Sequence, residues 1–125
     1  MRKISYRAKR KDNGEWVYGV PLKEGYSQEV EMLWYEYGSL AYTERVQVIP
    51  ETVGQYTGLT DKNGKEIFEG DIVKVLGKHI DVVVFYKGCF CMDRQLYNYE
   101  FTFQSSEQLE VIGNIHDNPE LVEVK

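Results

Sequence analysis

No stretch of this 125-residue chain stays apolar for the roughly 18 residues that a membrane-spanning helix needs. Its opening, MRKISYRAKRK, also lacks the apolar core of a secretion signal. A cytoplasmic protein with no membrane partner is therefore expected. Cysteine is scarce: Cys89 and Cys91 stand two apart, and on a strand they point to one face about 6.5–7 Å from each other. That exceeds the usual Cα separation of a disulfide, so both read as free thiols of a reducing compartment. The two histidines, His79 and His116, lie on separate segments, and Cys-x-Cys is a poor chelate, so neither a metal nor another cofactor is expected.

The glycines of GQYTGLTDKNG are followed by no Gly-Lys-Ser/Thr ending and no strand-to-helix context, which excludes a phosphate loop and a dinucleotide fingerprint. Lys87 is the sole basic neighbour that would activate a cysteine nucleophile. Glu66, Glu69, Asp71 and Asp81 fall near one end of the central strands, in the manner of paired-acid hydrolases. A turn aspartate such as Asp71 is more simply explained by bonds to its own backbone. The expectation is a protein that is not an enzyme.

Aromatic residues are plentiful. Ten tyrosines, five phenylalanines and two tryptophans accompany only three prolines, a balance that favours strands. The formal net charge is −5, yet the first eleven residues carry six basic side chains and no acid, leaving nine basic against twenty acidic residues in the remainder. A basic edge on an acidic body can meet that body, a second subunit or an anionic partner.

From Arg2 to Lys9 the chain alternates, with Ile4, Tyr6 and Ala8 on one face and Lys3, Ser5, Arg7 and Lys9 on the other, the pattern of a half-buried strand. Asp12-Asn13-Gly14 turns it into Glu15–Val20, the return strand of a hairpin. On that return strand Trp16 and Tyr18 share a face opposite Val17. Pro21–Gly25 reads as a loop. The segment EVEMLWYEYGSLAY is ambiguous, since Val30, Met32 and Trp34 can line a strand face or belong to a short helix. Its rings, among them Trp34, Tyr35, Tyr37 and Tyr42, form the densest aromatic cluster, and exposed aromatics mark contact surfaces. TERVQVI is a strand stopped by Pro50.

The chain is organised around TVGQYTGLTDKNGKEIFEGDIVKVL, residues 52–76. It reads as a strand, a tight turn with the Asn-Gly pair favoured for positive φ, a second strand, a Gly-Asp corner and a third strand. Gly-Asp corners of this kind recur in small Src-homology-3-like barrels. Ile80–Tyr86, almost continuously apolar, reads as the most buried strand, and Cys89–Met92 resumes it after Lys87-Gly88. Ser105 or Ser106 is placed to cap a helical turn over Glu107-Gln108-Leu109. Glu110–Ile115 closes the set of strands, and Glu120–Lys125 is a tail polar enough to fray.

TVGQYTGLTDKNGKEIFEGDIV, together with EVIGNIHDNPEL, resembles the signature of the YopX family, small proteins typical of phages and prophages of Gram-positive bacteria. Ile4–Ala8 followed by Trp16–Gly19 resembles that family's opening hairpin, and Gly88-Cys89-Phe90 its mid-chain motif. Leu22–Thr43 is the loose region, where individual residues are not matched to it. The resemblance implies a β-rich fold, a phage or prophage origin and residence in the bacterial cytoplasm. It carries over no catalytic residue and no activity.

The expected architecture is thus one all-β, YopX-like domain. It has an N-terminal hairpin lobe over about 1–49, a small Src-homology-3-like barrel over about 50–116 and a tail over 117–125, with at most one or two short helical turns. The expected role is that of a protein-interaction module that self-associates and binds a phage or host protein. Arg7, Lys9, Arg10, Trp34, Tyr35 and Tyr37 form the expected surface. The alternative is a nucleic-acid binder using the basic strand and the aromatics, against which the acidic remainder stands.

Overall fold

The computed structural model describes residues 5–22, 30–35, 43–86, 88–92 and 108–122, the side chains of 33–35, 43 and 44 excepted. Among them the protein is all-β, with ten strands and two single turns of 3-10 helix at Pro50–Thr52 and Pro119–Val122. The chain divides into two compact units, Met1–Gln55 and Tyr56–Lys125.

The first unit contains β1 (Tyr6–Lys9), β2 (Trp16–Leu22), β3 (Val30–Tyr35) and β4 (Thr43–Val48), antiparallel neighbours in chain order. The start of β5 (Gly54–Thr60) adds to the free side of β1, Tyr6 opposite Gln55 and Arg7 opposite Gly54. The hairpin turn is locally built: Asn13 Oδ1 accepts the Glu15 N–H at 2.9 Å, and the Gly14 N–H donates to the Arg10 carbonyl. This sheet rolls. The end of β4 meets the end of β1 through a bridge between Arg10 and Val48, with Lys11 N–H donating to the Gln47 carbonyl and Ile49 N–H to the Lys9 carbonyl, both at 2.9 Å. Inside the roll Ala8, Val17, Met32 and Val48 are buried, with Tyr6, Val30, Val46 and Val53 packed around them. Thr52 pins the seam, its Oγ1 accepting the Lys9 N–H and donating to the Ile49 carbonyl.

Two sequence expectations change here. β2 continues through Pro21 and Leu22 instead of stopping at Val20, because β3 pairs with it there, Pro21 opposite Met32. The described β1–β2 ladder ends at Tyr6–Gly19, so a residue without an N–H at 21 removes no bond from it. The ambiguous segment is strand β3 over Val30–Tyr35 and not a helix.

In the second unit the rest of β5 pairs with β6 (Glu66–Phe68), and β10 (Leu109–Asn114), β7 (Asp71–Val75), β8 (His79–Tyr86) and β9 (Cys89–Met92) form a four-stranded antiparallel sheet in that order. The β5–β6 register shifts between Tyr56 and Thr60, and Thr57 replaces the lost ladder bonds: its Oγ1 donates to the Ile67 carbonyl and accepts the Leu59 N–H. Ile67, Val73, Val75, Val83, Met92 and Leu109 make the core.

The expected barrel is not closed. The three-residue β6 pairs with β5, whereas β7 takes β10 and β8 as its neighbours. Single backbone bonds join the hairpin to the sheet in place of a continuous ladder, Lys62 N–H to the Leu109 carbonyl and Gly70 N–H to the Val83 carbonyl. The corner between β6 and β7 needs Gly70, which has φ +91° in a region closed to most side chains.

β8 is also less buried than its apolar run implies. Asp81 and Val83 are buried, but Phe85 is 52% and Tyr86 44% exposed, because the β8–β9 hairpin carries them past the core. β7, with Ile72 and Val73 both fully buried, is the more enclosed strand. Leu109 begins β10 instead of ending a helical turn; Ser105, Ser106 and Glu107 lie outside the described residues. The start of the expected tail is a 3-10 turn, Leu121 N–H donating to the Asn118 carbonyl at 3.1 Å.

The β10 register shifts between Val111 and Gly113, and Asn118 is packed against the displaced backbone. A Cβ at Gly113 would lie 2.5 Å from Asn118 Oδ1 and 2.9 Å from its Cγ. Asn118 would have to swing away from its 3.3 Å bond with the Asn114 N–H. Gly113→Ala is therefore expected to cost about 1–2 kcal/mol, as overpacking does. A lower urea midpoint at unchanged slope is the predicted readout, and an unaltered midpoint would show that the turn yields freely.

Candidate functional site

The register of the first hairpin places Arg7 opposite Tyr18 and Lys9 opposite Trp16, so cationic and aromatic side chains alternate on the outer face while Ala8 and Val17 fill the roll. Trp16 lies under both cations, with the Arg7 guanidinium carbon 4.7 Å and Lys9 Nζ 5.5 Å from the ring centroid. Both are inside the roughly 6 Å reach of a cation–π contact. Arg7 is only 7% exposed. Alternation puts it on the charged face of a half-buried strand, and the structure covers that face at Arg7 too, since β1 is an interior strand flanked by β2 and β5. Beyond Trp16 the same face of β2 presents Tyr18, 49% exposed, and Val20, 39% exposed.

At the seam, Arg10 grips Asp12 with both prongs, Nε to Oδ1 at 3.0 Å and Nη2 to Oδ2 at 2.9 Å. The bond from Arg10 holds the exposed Asp12 carboxyl below its ordinary pKa, and the Arg10 charge adds to this. On the β4 side of the seam, Arg45 reaches Glu31 of the neighbouring β3 at 3.4 Å. Arg10, Lys11, Asp12, Arg45, Val46 and Gln47 line an open cleft of about 340 Å³.

Of the expected surface, Arg7, Lys9 and Arg10 are described with their side chains. Arg7 and Lys9 come together over Trp16, and Arg10 turns to Asp12 at the seam. The backbones of Trp34 and Tyr35 sit in β3 opposite Glu44 and Thr43, but their side chains and all of Tyr37 lie outside the described residues. Sequence reasoning missed Arg45, the single cation of β4, whose significance depends on the roll. It also missed Phe85 and Phe90, ring centroids 5.0 Å apart and edge-to-face, because their strands read as core.

The buried carboxylates of the second unit serve the backbone. Asp61 Oδ1 accepts the N–H groups of Asn63 and Lys65, and its Oδ2 accepts that of Val111, all within 2.9 Å. Burial pushes the Asp61 pKa up. The three N–H donors, helped by the Lys65 charge, outweigh burial and hold the carboxyl below its ordinary value. Asp71 accepts the Phe68 N–H at 2.7 Å and Asp81 that of Val82 at 2.9 Å. Cys91 is buried and Cys89 half-buried. Among the described residues no group of three or more His, Cys, Asp or Glu is placed to hold a metal ion, and no helix is long and apolar enough to cross a membrane.

Comparison with known proteins agrees with this architecture. The family described as YopX protein matches residues 5–123. Among solved structures the chain is similar to protein EF1440 from Enterococcus faecalis, at 27% identity and a TM-score of 0.64, over 98% of this chain and 100% of that one. Among curated proteins nothing matches.

Proposed function

The chain belongs to the YopX family, and on that premise we propose that it is a non-enzymatic accessory protein of phage or prophage origin. It works in the bacterial cytoplasm as a protein-interaction module that associates with itself and with a phage or host protein. The observation that carries this reading is the outer face of the first hairpin, where Tyr18 and Val20 stand exposed beside cations already held over Trp16. A Trp ring covered by Arg7 and Lys9 offers no open platform for a nucleic-acid base. A tyrosine and a valine flanked by charge fit the apolar centre and polar rim of a protein contact. Self-association also brings the basic N-terminal strand of one copy to the acidic remainder of another.

The test is affinity capture from infected and uninfected lysate, with and without nuclease, together with sedimentation of the purified chain. Tyr18→Ser with Val20→Ser, both at exposed positions, is expected to leave the fold intact and weaken association about tenfold or more, as loss of an aromatic anchor does. A monomer mass at every concentration would remove self-association. Capture that disappears with nuclease would replace this reading by nucleic-acid binding.

A further inference from the structure

We infer that the cleft at the seam of the rolled sheet is a binding site for a carboxylate-rich segment of a partner protein. This rests on the interaction-module reading and assigns it a second contact, separate from Tyr18 and Val20. Its walls come from both sides of the seam, Arg10, Lys11 and Asp12 from the β1–β2 loop and Arg45, Val46 and Gln47 from β4, around about 340 Å³. That size admits one or two side chains of a peptide.

Three cations face one acid in this lining. Both arginines already show the chemistry they select, since each carries a carboxylate of its own unit, Asp12 on Arg10 and Glu31 on Arg45. The Arg45–Glu31 contact, at 3.4 Å, is long for a charge-assisted bond, whose usual range is about 2.7–2.9 Å. Of these two contacts it is the one an incoming carboxylate displaces at lower cost. Lys11 is exposed and adds a second donor.

The remaining lining separates an acidic peptide from a nucleic-acid strand. Val46 is half-buried against the core and offers apolar surface to the methylenes of a glutamate or aspartate. The Gln47 side chain supplies an amide of the kind that pairs with peptide groups. Asp12 and the net charge of −5 repel phosphates and carboxylates alike, so the distinction rests on Val46 and Gln47.

The experiment titrates the isotope-labelled full-length protein with hexaglutamate, hexaglutamine and hexathymidylate, following backbone amide shifts. Hexaglutamate is expected to move the amides of residues 10–12 and 45–47, with affinity falling severalfold as salt is raised. Hexaglutamine is expected to move none. Arg45→Glu abolishes the shifts and Arg45→Gln weakens them, with the rest of the spectrum unchanged. No shifts, equal shifts with hexaglutamine, insensitivity to Arg45→Glu, or stronger shifts with hexathymidylate would each overturn the assignment. If the chain captures partners through Tyr18 and Val20 yet ignores hexaglutamate, the cleft assignment fails and the module reading stands. If hexaglutamate binds as described while Tyr18→Ser with Val20→Ser changes nothing, the outer face fails and the cleft stands.

Discussion

Asp61→Ala is expected to lower the stability of the second unit by about 3 kcal/mol at neutral pH. One carboxylate holds the 61–65 turn closed and also ties it to β10 through the Val111 N–H. Together with the bond from Lys62 N–H to the Leu109 carbonyl, this caps the outer edge of a strand that would otherwise invite pairing. A hydrogen bond to a charged group contributes about 1.5–3 kcal/mol, and a buried donor left unsatisfied costs about 1–3. The loss therefore exceeds that of an ordinary turn residue, without being the sum of three bonds. Asp61→Asn keeps the acceptor for Asn63 and Lys65 but turns an NH₂ group toward Val111, so about 2 kcal/mol is expected from the donor–donor conflict.

The pH dependence follows from the lowered pKa. The charged form's contribution is complete above the unfolded value, about 3.9, and is lost as the pH falls through the still lower folded value. The gap between the parent chain and Asp61→Asn should accordingly narrow only below about pH 4. Urea unfolding at pH 7, 5 and 3 measures it. Equal midpoints at pH 7 would show that Asp61 is dispensable, and a gap that widens in acid would show that its pKa is raised, not lowered.

Asp61 also shows how far sequence reasoning reaches. Asp-Lys-Asn-Gly-Lys announces a turn because the residues that tolerate positive φ are local, and the turn is there. That the same aspartate accepts a bond from a residue fifty positions later is a fact of tertiary pairing, invisible in a local pattern. The barrel expectation met the same limit. Each strand of residues 52–76 was legible, but closure depends on what β6 pairs with, and among the described residues its three positions, following a register shift, pair with β5 alone.

In the first unit, alternation assigned Arg7 and Ala8 to opposite faces and did so correctly. Alternation is silent on whether the second face is covered, and here both residues are buried. The cleft was illegible for a related reason. Arg10–Asp12 and Arg45–Gln47 are more than thirty residues apart, and only the bridge from Arg10 to Val48 brings them to one rim.

That burial makes Arg7→Glu the most damaging single change expected in the first unit, at about 3–5 kcal/mol. It replaces a cation resting on the Trp16 face with an anion that the ring quadrupole repels, and it buries a negative charge at a site that holds a positive one. Lys9, on the same ring, recovers part of the loss through attraction to the new carboxylate. Arg7→Met keeps the apolar stem against Trp16 and gives up only the cation, so about 1–2 kcal/mol is expected. Lys9→Glu, at a half-buried position 5.5 Å from the ring centroid, should cost about 1 kcal/mol or less. Thermal unfolding followed by tryptophan fluorescence ranks the three. The ranking bears directly on function, because reversing Arg7, Lys9 and Arg10 together would abolish binding by unfolding the hairpin whether or not the basic row touches a partner. Lys9→Glu, Lys11→Glu and Arg45→Glu separate the two, since their side chains reach solvent and their reversal costs far less stability than that of Arg7. Should Arg7→Glu unfold with the parent midpoint and still lose partners, Arg7 would be a contact residue after all, and the basic strand would act as one surface from Arg7 to Arg10.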